Sequence, residues 1–254
     1  MATDILILTV YFICVAYVGY QMALSIESQL EDQLRIDLDR EALQTAVTSQ
    51  VRQQPGGVGV QVATDETPGL QLQVPLRSHD REASRTGTVI VRVMPLGQRP
   101  PQPPLNHLTV QVVNGLDDRQ LFIDWDSSSL SLQNNQGRRV IRQVPGQFMD
   151  LAQAQVMSVV NPDQTITAQI TSEDAFQRHP DTRLLQPTVP LINLEQAMLL
   201  PSALRQYSLR LMLRIRPMAG EDAPSLRLLI PFQFRIEVLP GQIAVPVLNW
   251  LLNR

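Results

Sequence analysis

Apolar and polar residues alternate with a period of two through most of the chain after residue 57. Val58-Gly59-Val60-Gln61-Val62, Leu70-Gln71-Leu72-Gln73-Val74 and Thr88-Val89-Ile90-Val91-Arg92-Val93 open the series. Leu108–Val113, Gln120–Trp125, Leu130–Gln133, Arg139–Val144 and Thr165–Ile170 continue it. Successive side chains of a strand point to opposite faces, so this period predicts half-buried strands. Turn chemistry falls between them at Asn114-Gly115, Ser127–Ser129, Asn134–Gly137 and Asn161-Pro162-Asp163. The clearest pair comes last: Leu209, Leu211, Leu213 and Ile215 share one face of Ser208–Arg216. Leu226, Leu228, Ile230, Phe232, Phe234, Ile236 and Val238 share one face of Leu226–Val238. Only Leu194–Leu200 reads as a short helix here, stopped by Pro201. Many short strands without helical periods between them predict an antiparallel β-sandwich over 105–240. Its expected general build is immunoglobulin-like, without the cysteine pair of true immunoglobulin domains.

The pattern before residue 57 is different. Ile5–Ile26 is a run of 22 residues without a charge, and about 20 apolar residues in a helix cross a hydrocarbon core of roughly 30 Å. Only Met1-Ala2-Thr3-Asp4 precedes it, so the basic start of a secretory signal is missing. No small-x-small cleavage site closes it. Cys14 follows Phe12-Ile13 rather than the small residues of a lipidation site. Residues 1–26 are therefore expected to be a retained transmembrane anchor.

Residues 27–54 contain no glycine or proline and are expected to form a juxtamembrane helical stalk. Ile26, Leu30, Leu34 and Leu38 mark one side, and Ile36, Leu43, Val47 and Val51 another. Two faces imply a helix touching two neighbours, or a break near Asp37–Glu41; the strict heptad of a coiled coil is missing. Pro55-Gly56-Gly57 ends the stalk. Residues 55–104 then read as a β-hairpin annex closing in a proline-rich linker, with five prolines among residues 95–104. Residues 241–254 form an apolar tail around Val245–Leu252, too short to span a bilayer. Docking on the domain core, interfacial insertion through Trp250 and filling a partner's groove all remain open for it.

Charge narrows the partners. All 21 basic residues are arginine and the net charge is −3. No basic run exceeds Arg138-Arg139, which argues against nucleic acid. The stalk holds six acids (Glu27, Glu31, Asp32, Asp37, Asp39, Glu41) against three arginines, which accounts for the whole net charge. The one cysteine sits in the apolar run, so no intrachain disulfide is expected. Arg35 and Arg40 follow the run whereas no basic residue precedes it, so the β-domain is expected on the cytoplasmic side.

Candidate chemistry is sparse. Leu121-Phe122-Ile123-Asp124-Trp125-Asp126 resembles the opening of haloacid-dehalogenase-type phosphatases, a hydrophobic strand ending in Asp-x-Asp. The resemblance implies Asp124 as nucleophile, Asp126 as general acid and a Mg²⁺ between them. It covers about nine residues, through Ser129. The family's following helix and its lysine are missing; this chain continues as strand and turn. Strand alternation by itself turns Leu121, Ile123 and Trp125 inward and leaves Phe122, Asp124 and Asp126 outward. His79, His107 and His179 stand far apart, and Ser128 lacks a Gly-x-Ser-x-Gly elbow. No catalytic, metal or cofactor residue is assigned.

The surface pattern is more informative. Opposite the core faces of the last two strands lie Arg210, Arg214 and Arg216, with Arg227 and Arg235 beside them and only Glu237 to offset them. Such a ladder suits an acidic protein surface or anionic headgroups. With Trp250 these arginines are the candidate interaction surface. The sequence thus predicts a non-enzymatic, single-pass membrane protein that contacts lipid through its N-terminal helix. Its β-domain is expected to be an interaction or assembly module, an accessory subunit of a larger membrane complex with a protein partner. The alternative is a membrane-tethered domain binding lipid or a small ligand, which a deep apolar pocket would mark. More remote is the metal-dependent phosphatase at Asp124 and Asp126.

Overall fold

A computed structural model describes residues 8–15, 17–21, 34–54, 57–63, 68–76, 86–96, 105–132, 136–144, 150–180, 184–218 and 225–238. The alternating segments form strands, as their period requires. In chain order they are β1 (Leu34–Leu38), β2 (Gly59–Val62), β3 (Leu70–Pro75), β4 (Thr86–Met94), β5 (Leu108–Gly115), β6 (Arg119–Ser131) and β7 (Gly137–Gln143). There follow β8 (Ser158–Val160), β9 (Thr165–Ser172), β10 (Phe176–Arg178), β11 (Leu185–Pro187), β12 (Gln206–Pro217) and β13 (Leu226–Val238). Among the described residues two α-helices lie between strands: α1 (Arg40–Arg52) and α2 (Leu194–Leu199).

The protein is mainly β. One large, curled antiparallel sheet runs β1-β13-β12-β6-β7-β9-β5-β4-β3-β2, with β8 against β6 and β10 paired only with β11. β7 turns the corner. Its first residues, Gly137–Arg139, pair with Ser129–Ser131 of β6, and Val140–Gln143 pair with Gln169–Ser172 of β9. The apolar faces on both sides of that corner share one core, from Leu209, Leu211 and Phe232 to Leu72, Val91 and Val110. The sheet thus forms a half-barrel, and the coarser expectation, a mainly β chain of antiparallel strands, is what the fold shares with the immunoglobulin-like sandwich read from the sequence.

Several expectations are corrected. Residues 34–38 are not part of a helical stalk: β1 pairs with β13 from Leu34↔Val238 to Leu38↔Phe234. Leu34, Ile36 and Leu38 alternate inward and are buried. The helix begins only at Arg40, where the Asp39 carboxylate accepts a hydrogen bond from the Ala42 amide at 3.0 Å and caps it. The boundary expected at residues 95–104 does not divide the sheet, since β4 pairs with β5 from Thr88↔Gly115 to Met94↔Thr109. Asn114-Gly115 lies at the end of β5 rather than in the turn. Asn114 is buried and donates to the carbonyls of Arg119 and Val160 at 2.9 and 3.0 Å. Gly115 approaches β4 so closely that a Cβ there would sit 2.8 Å from the Thr88 carbonyl oxygen.

Among the described residues no helix is long and apolar enough to cross a membrane. Residues 8–15 and 17–21 are helical and exposed throughout. The remainder of the expected span Ile5–Ile26, the stalk residues 27–33 and the tail 241–254 lie outside the described residues.

Helix α1 explains how the open side of the curl is closed. Leu43, Val47 and Val51 recur every four residues and are buried between β13 and β2. Beyond the stretch taken by β1, the outer edge of β13 would be left unpaired, and buried or edge amides without partners are costly. Gln50 supplies a substitute strand: its Nε2 donates to the Leu229 carbonyl at 2.7 Å and its Oε1 accepts from the Leu229 amide at 2.9 Å. Gln54 does the same for Arg227, at 2.7 and 3.0 Å. Pro231, on the same edge, has no amide to satisfy. The Asp39 amide takes the Gln233 carbonyl at 2.9 Å.

Candidate functional site

The last hairpin presents its arginines as the alternation requires. Arg210, Arg216, Arg227 and Arg235 are exposed on the outer face and Arg214 is half-buried. Register decides what each is free to do. Arg214 stands directly opposite Arg227, a like-charge pair that is unfavourable unless something offsets it. Asp124 offsets it, its Oδ2 lying 2.6 Å from Arg214 Nη2. Arg235 is opposite Asp37 and Glu237 opposite Arg35, while Arg35 and Asp37 pair at 2.7 Å. Charges of both signs therefore alternate at that end.

Arg210, Arg216 and Arg227 make no ion pair among the described residues. Between them lies an apolar strip. Met212 is directly opposite Leu229, and Phe122 lies between Arg214 and Val159 in the register. Phe122, Met212 and Leu229 are half-buried and Val159 is 44% exposed. Along one strand Arg210 and Arg214 are about 13 Å apart at 3.3 Å per residue. The structure thus brings Arg210, Arg214, Arg216 and Arg227 around one apolar strip, sets Arg235 into a mixed-charge edge, and leaves Trp250 outside the described residues.

The Asp-x-Asp stretch is built differently from the expectation. Asp124 does not sit outward in solvent; it is buried, 6% exposed. Asp124 pairs with Met212 and Ser129 with Arg210, so Trp125–Ser128 face the single Leu211 across a large bulge. The Asp124 carboxylate holds that bulge, accepting from the Ser127 amide at 3.1 Å and the Ser127 hydroxyl at 2.9 Å. Ser128 Oγ donates to the Asp124 carbonyl at 2.6 Å and accepts from the Met212 amide at 3.0 Å. The Ser127–Ser129 cluster is therefore inside β6, not a turn between strands. Inward positions move from odd to even numbers across it, from Leu121, Ile123 and Trp125 to Leu130.

Asp126 anchors the corner beside it. It accepts from Arg139 Nη2 at 2.7 Å, the Gln155 amide at 2.8 Å and Gln155 Nε2 at 3.0 Å. Gln155 in turn bonds the Val140 carbonyl and the Arg142 amide at 2.7 and 2.8 Å. Burial pushes the Asp126 carboxyl up, but the hydrogen bonds from Gln155 and Arg139 outweigh it and hold the pKa below the usual 3.8. A depressed folded-state pKa gives stability that is present above the unfolded value and lost as pH falls through the folded one. Acid titration of the melting temperature should therefore show a loss beginning below about pH 4 that Asp126→Asn makes shallower. An unchanged acid limb in that variant would refute the coupling.

Both carboxylates of the phosphatase resemblance are thus engaged within the fold. No group of three or more His, Cys, Asp or Glu able to hold a metal occurs among the described residues. His79 lies outside them. One feature escaped the sequence reading. Tyr207, the innermost residue at the start of β12, stacks on Phe234 with ring centroids 4.7 Å apart. Its hydroxyl is buried without a hydrogen-bond partner among the described residues, and burial raises its pKa, keeping it protonated. It borders an open cleft of about 430 Å³ with Leu132, Arg138, Ile192 and Gln196. Alternation already turned Tyr207 inward; its lack of a partner is a property of packing alone. No protein-family model, curated protein or solved structure matches this chain.

Proposed function

We propose that this chain is a non-enzymatic, single-pass membrane-anchored protein whose β-domain is an interaction or assembly module. In this reading the domain lies on the cytoplasmic side as an accessory subunit of a larger membrane complex. Its curled sheet works as a sandwich of immunoglobulin-like build. The observation that carries the reading is the outer face of β12 and β13. Three arginines there, without ion-pair partners among the described residues, rim a strip of Phe122, Met212, Leu229 and Val159. Arginine and apolar side chains together are the composition of contact surfaces, and the unpaired cations call for an acidic protein partner. Support for the anchor comes from the helical residues 8–15 and 17–21. Leu8, Phe12, Ile13 and Tyr17 are 58–63% exposed and touch no core; a helix apolar on all sides belongs in lipid.

The test uses the full chain extracted gently from membranes. Arg210, Arg216 and Arg227 exchanged for glutamine should lose a co-purifying acidic protein, and the wild-type association should weaken as salt rises, because exposed charges are screened beyond about 10 Å. The fold should persist, since the exchanged side chains are exposed and the core leucines are untouched. If the triple variant keeps the same partners at low salt, the arginines are a solvated sheet face and the reading fails.

A further inference from the structure

We infer that the cleft beside Tyr207 is a binding site for a small aliphatic molecule whose buried end is an uncharged carbonyl. The site lies on the core side of β12, away from its outward arginines, and does not depend on them.

One wall of the cleft is the rim of the sheet: Leu132 after β6, Tyr207 at the start of β12 and Ile236 near the end of β13. The segment from Val189 to Gln196 forms the other. Backbone bonds pin that segment along its length. The Val189 amide donates to the Ala175 carbonyl at 3.1 Å and the Ile192 amide to the Leu105 carbonyl at 3.0 Å. Asn193 Oδ1 accepts from the Gln196 amide at 3.1 Å. With both walls fixed by their own bonds, the gap of about 430 Å³ is preformed. Ligand pockets commonly measure about 300–1,000 Å³.

The lining selects the ligand. Leu132, Leu191, Ile192 and Ile236 offer apolar surface, and no acidic residue lines the cleft. Its one charge, Arg138, is already paired with Asp174 at 3.0 Å. Asn193, Gln196 and Gln206 are at least partly exposed, which leaves Tyr207 as the buried polar lining residue. Its hydroxyl has no hydrogen-bond partner among the described residues. A buried O–H without an acceptor is costly, and a bound acceptor would remove that cost. An ionised acceptor would lose its hydration among apolar walls, so the fitting group is a neutral carbonyl on an aliphatic chain.

Calorimetry tests this with the full chain in phosphatidylcholine nanodiscs, titrated with 2-octanone and corrected for empty nanodiscs. The ketone should bind saturably, and Tyr207→Phe should weaken it about tenfold, the equivalent of one hydrogen bond. Octanoate, equally long but ionised, should bind more weakly than the ketone. Val189→Trp, at a position already 37% exposed, should fill the cleft and abolish binding. Without ligand, Tyr207→Phe should melt at the wild-type temperature or above, because it removes an unpaired buried hydroxyl. Absence of saturable heat with 2-octanone overturns the site. So does binding unchanged in Tyr207→Phe or in Val189→Trp, or octanoate held as tightly as the ketone. A lower melting temperature for Tyr207→Phe shows that a trapped water already serves the hydroxyl, and overturns it as well.

Discussion

A chain beginning at Leu34 should fold, and a chain beginning at Pro55 should not. The residues between them fill the core. Leu34, Ile36, Leu38, Leu43, Val47 and Val51 are all buried. Burying a side chain of that size stabilises by about 1.5–3 kcal/mol, or roughly 9–18 kcal/mol for the set as an upper bound. The whole margin of a domain is about 5–15 kcal/mol. Deletion to Pro55 also uncovers the outer edge of β13, where β1, Asp39, Gln50 and Gln54 now bond its backbone. A bare apolar edge recruits other chains. The shorter fragment is therefore expected to be aggregated or to lack a cooperative urea transition, while the longer shows sheet by circular dichroism and a single transition. Within the longer fragment, Gln50→Ala should cost about 1–3 kcal/mol, because the Leu229 amide and carbonyl lose their partners together. A cooperative, soluble fragment beginning at Pro55 would show that α1 and β1 are accessories to a self-sufficient sheet.

Asp124→Ala should lower stability by about 3 kcal/mol, a fall of roughly 6–12 °C in melting temperature for a chain of this size. The substitution leaves the half-buried Arg214 facing Arg227 with nothing between them, and it removes both bonds that hold Ser127 in the bulge. Burial sets the size of the effect, since the Asp124 side chain is 8% exposed and that of Arg214 31%. The double variant Asp124→Ala, Arg214→Met should recover part of the loss, because an apolar side chain no longer needs a counter-charge. Urea titrations of the wild type, both single variants and the double variant close the cycle. A loss under 0.5 kcal/mol for Asp124→Ala would mean that Ser128 and Met212 set the bulge without the carboxylate.

What the sequence determined by itself is local period and facing. Leu209 through Ile215 and Leu226 through Ile236 alternate so that a strand with one buried face hides Leu209, Leu211, Leu213, Leu226, Leu228, Ile230, Phe232, Phe234 and Ile236 together. The outward arginines follow from the same parity. Asn193 and Pro201 likewise bracket α2, the first accepting from the Gln196 amide at 3.1 Å and the second unable to extend a helix. Parity fails where pairing is not local. Leu30, Leu34 and Leu38 advance by four as in a helix, while Leu34, Ile36 and Leu38 advance by two as in a strand, and the spacing alone does not choose. The unpaired edge of β13, some two hundred residues away, chooses the strand. Asp124 likewise sits at an outward position by counting and is buried because the bulge after it folds Ser127 onto its carboxylate and Arg214, two residues from its partner Met212 on β12, reaches across to it. Gln50 and Gln54 read as ordinary polar helix positions, yet each bonds a backbone amide and carbonyl of β13. In each case the deciding partner is distant in sequence, and only closure of the sheet brings it within hydrogen-bonding reach.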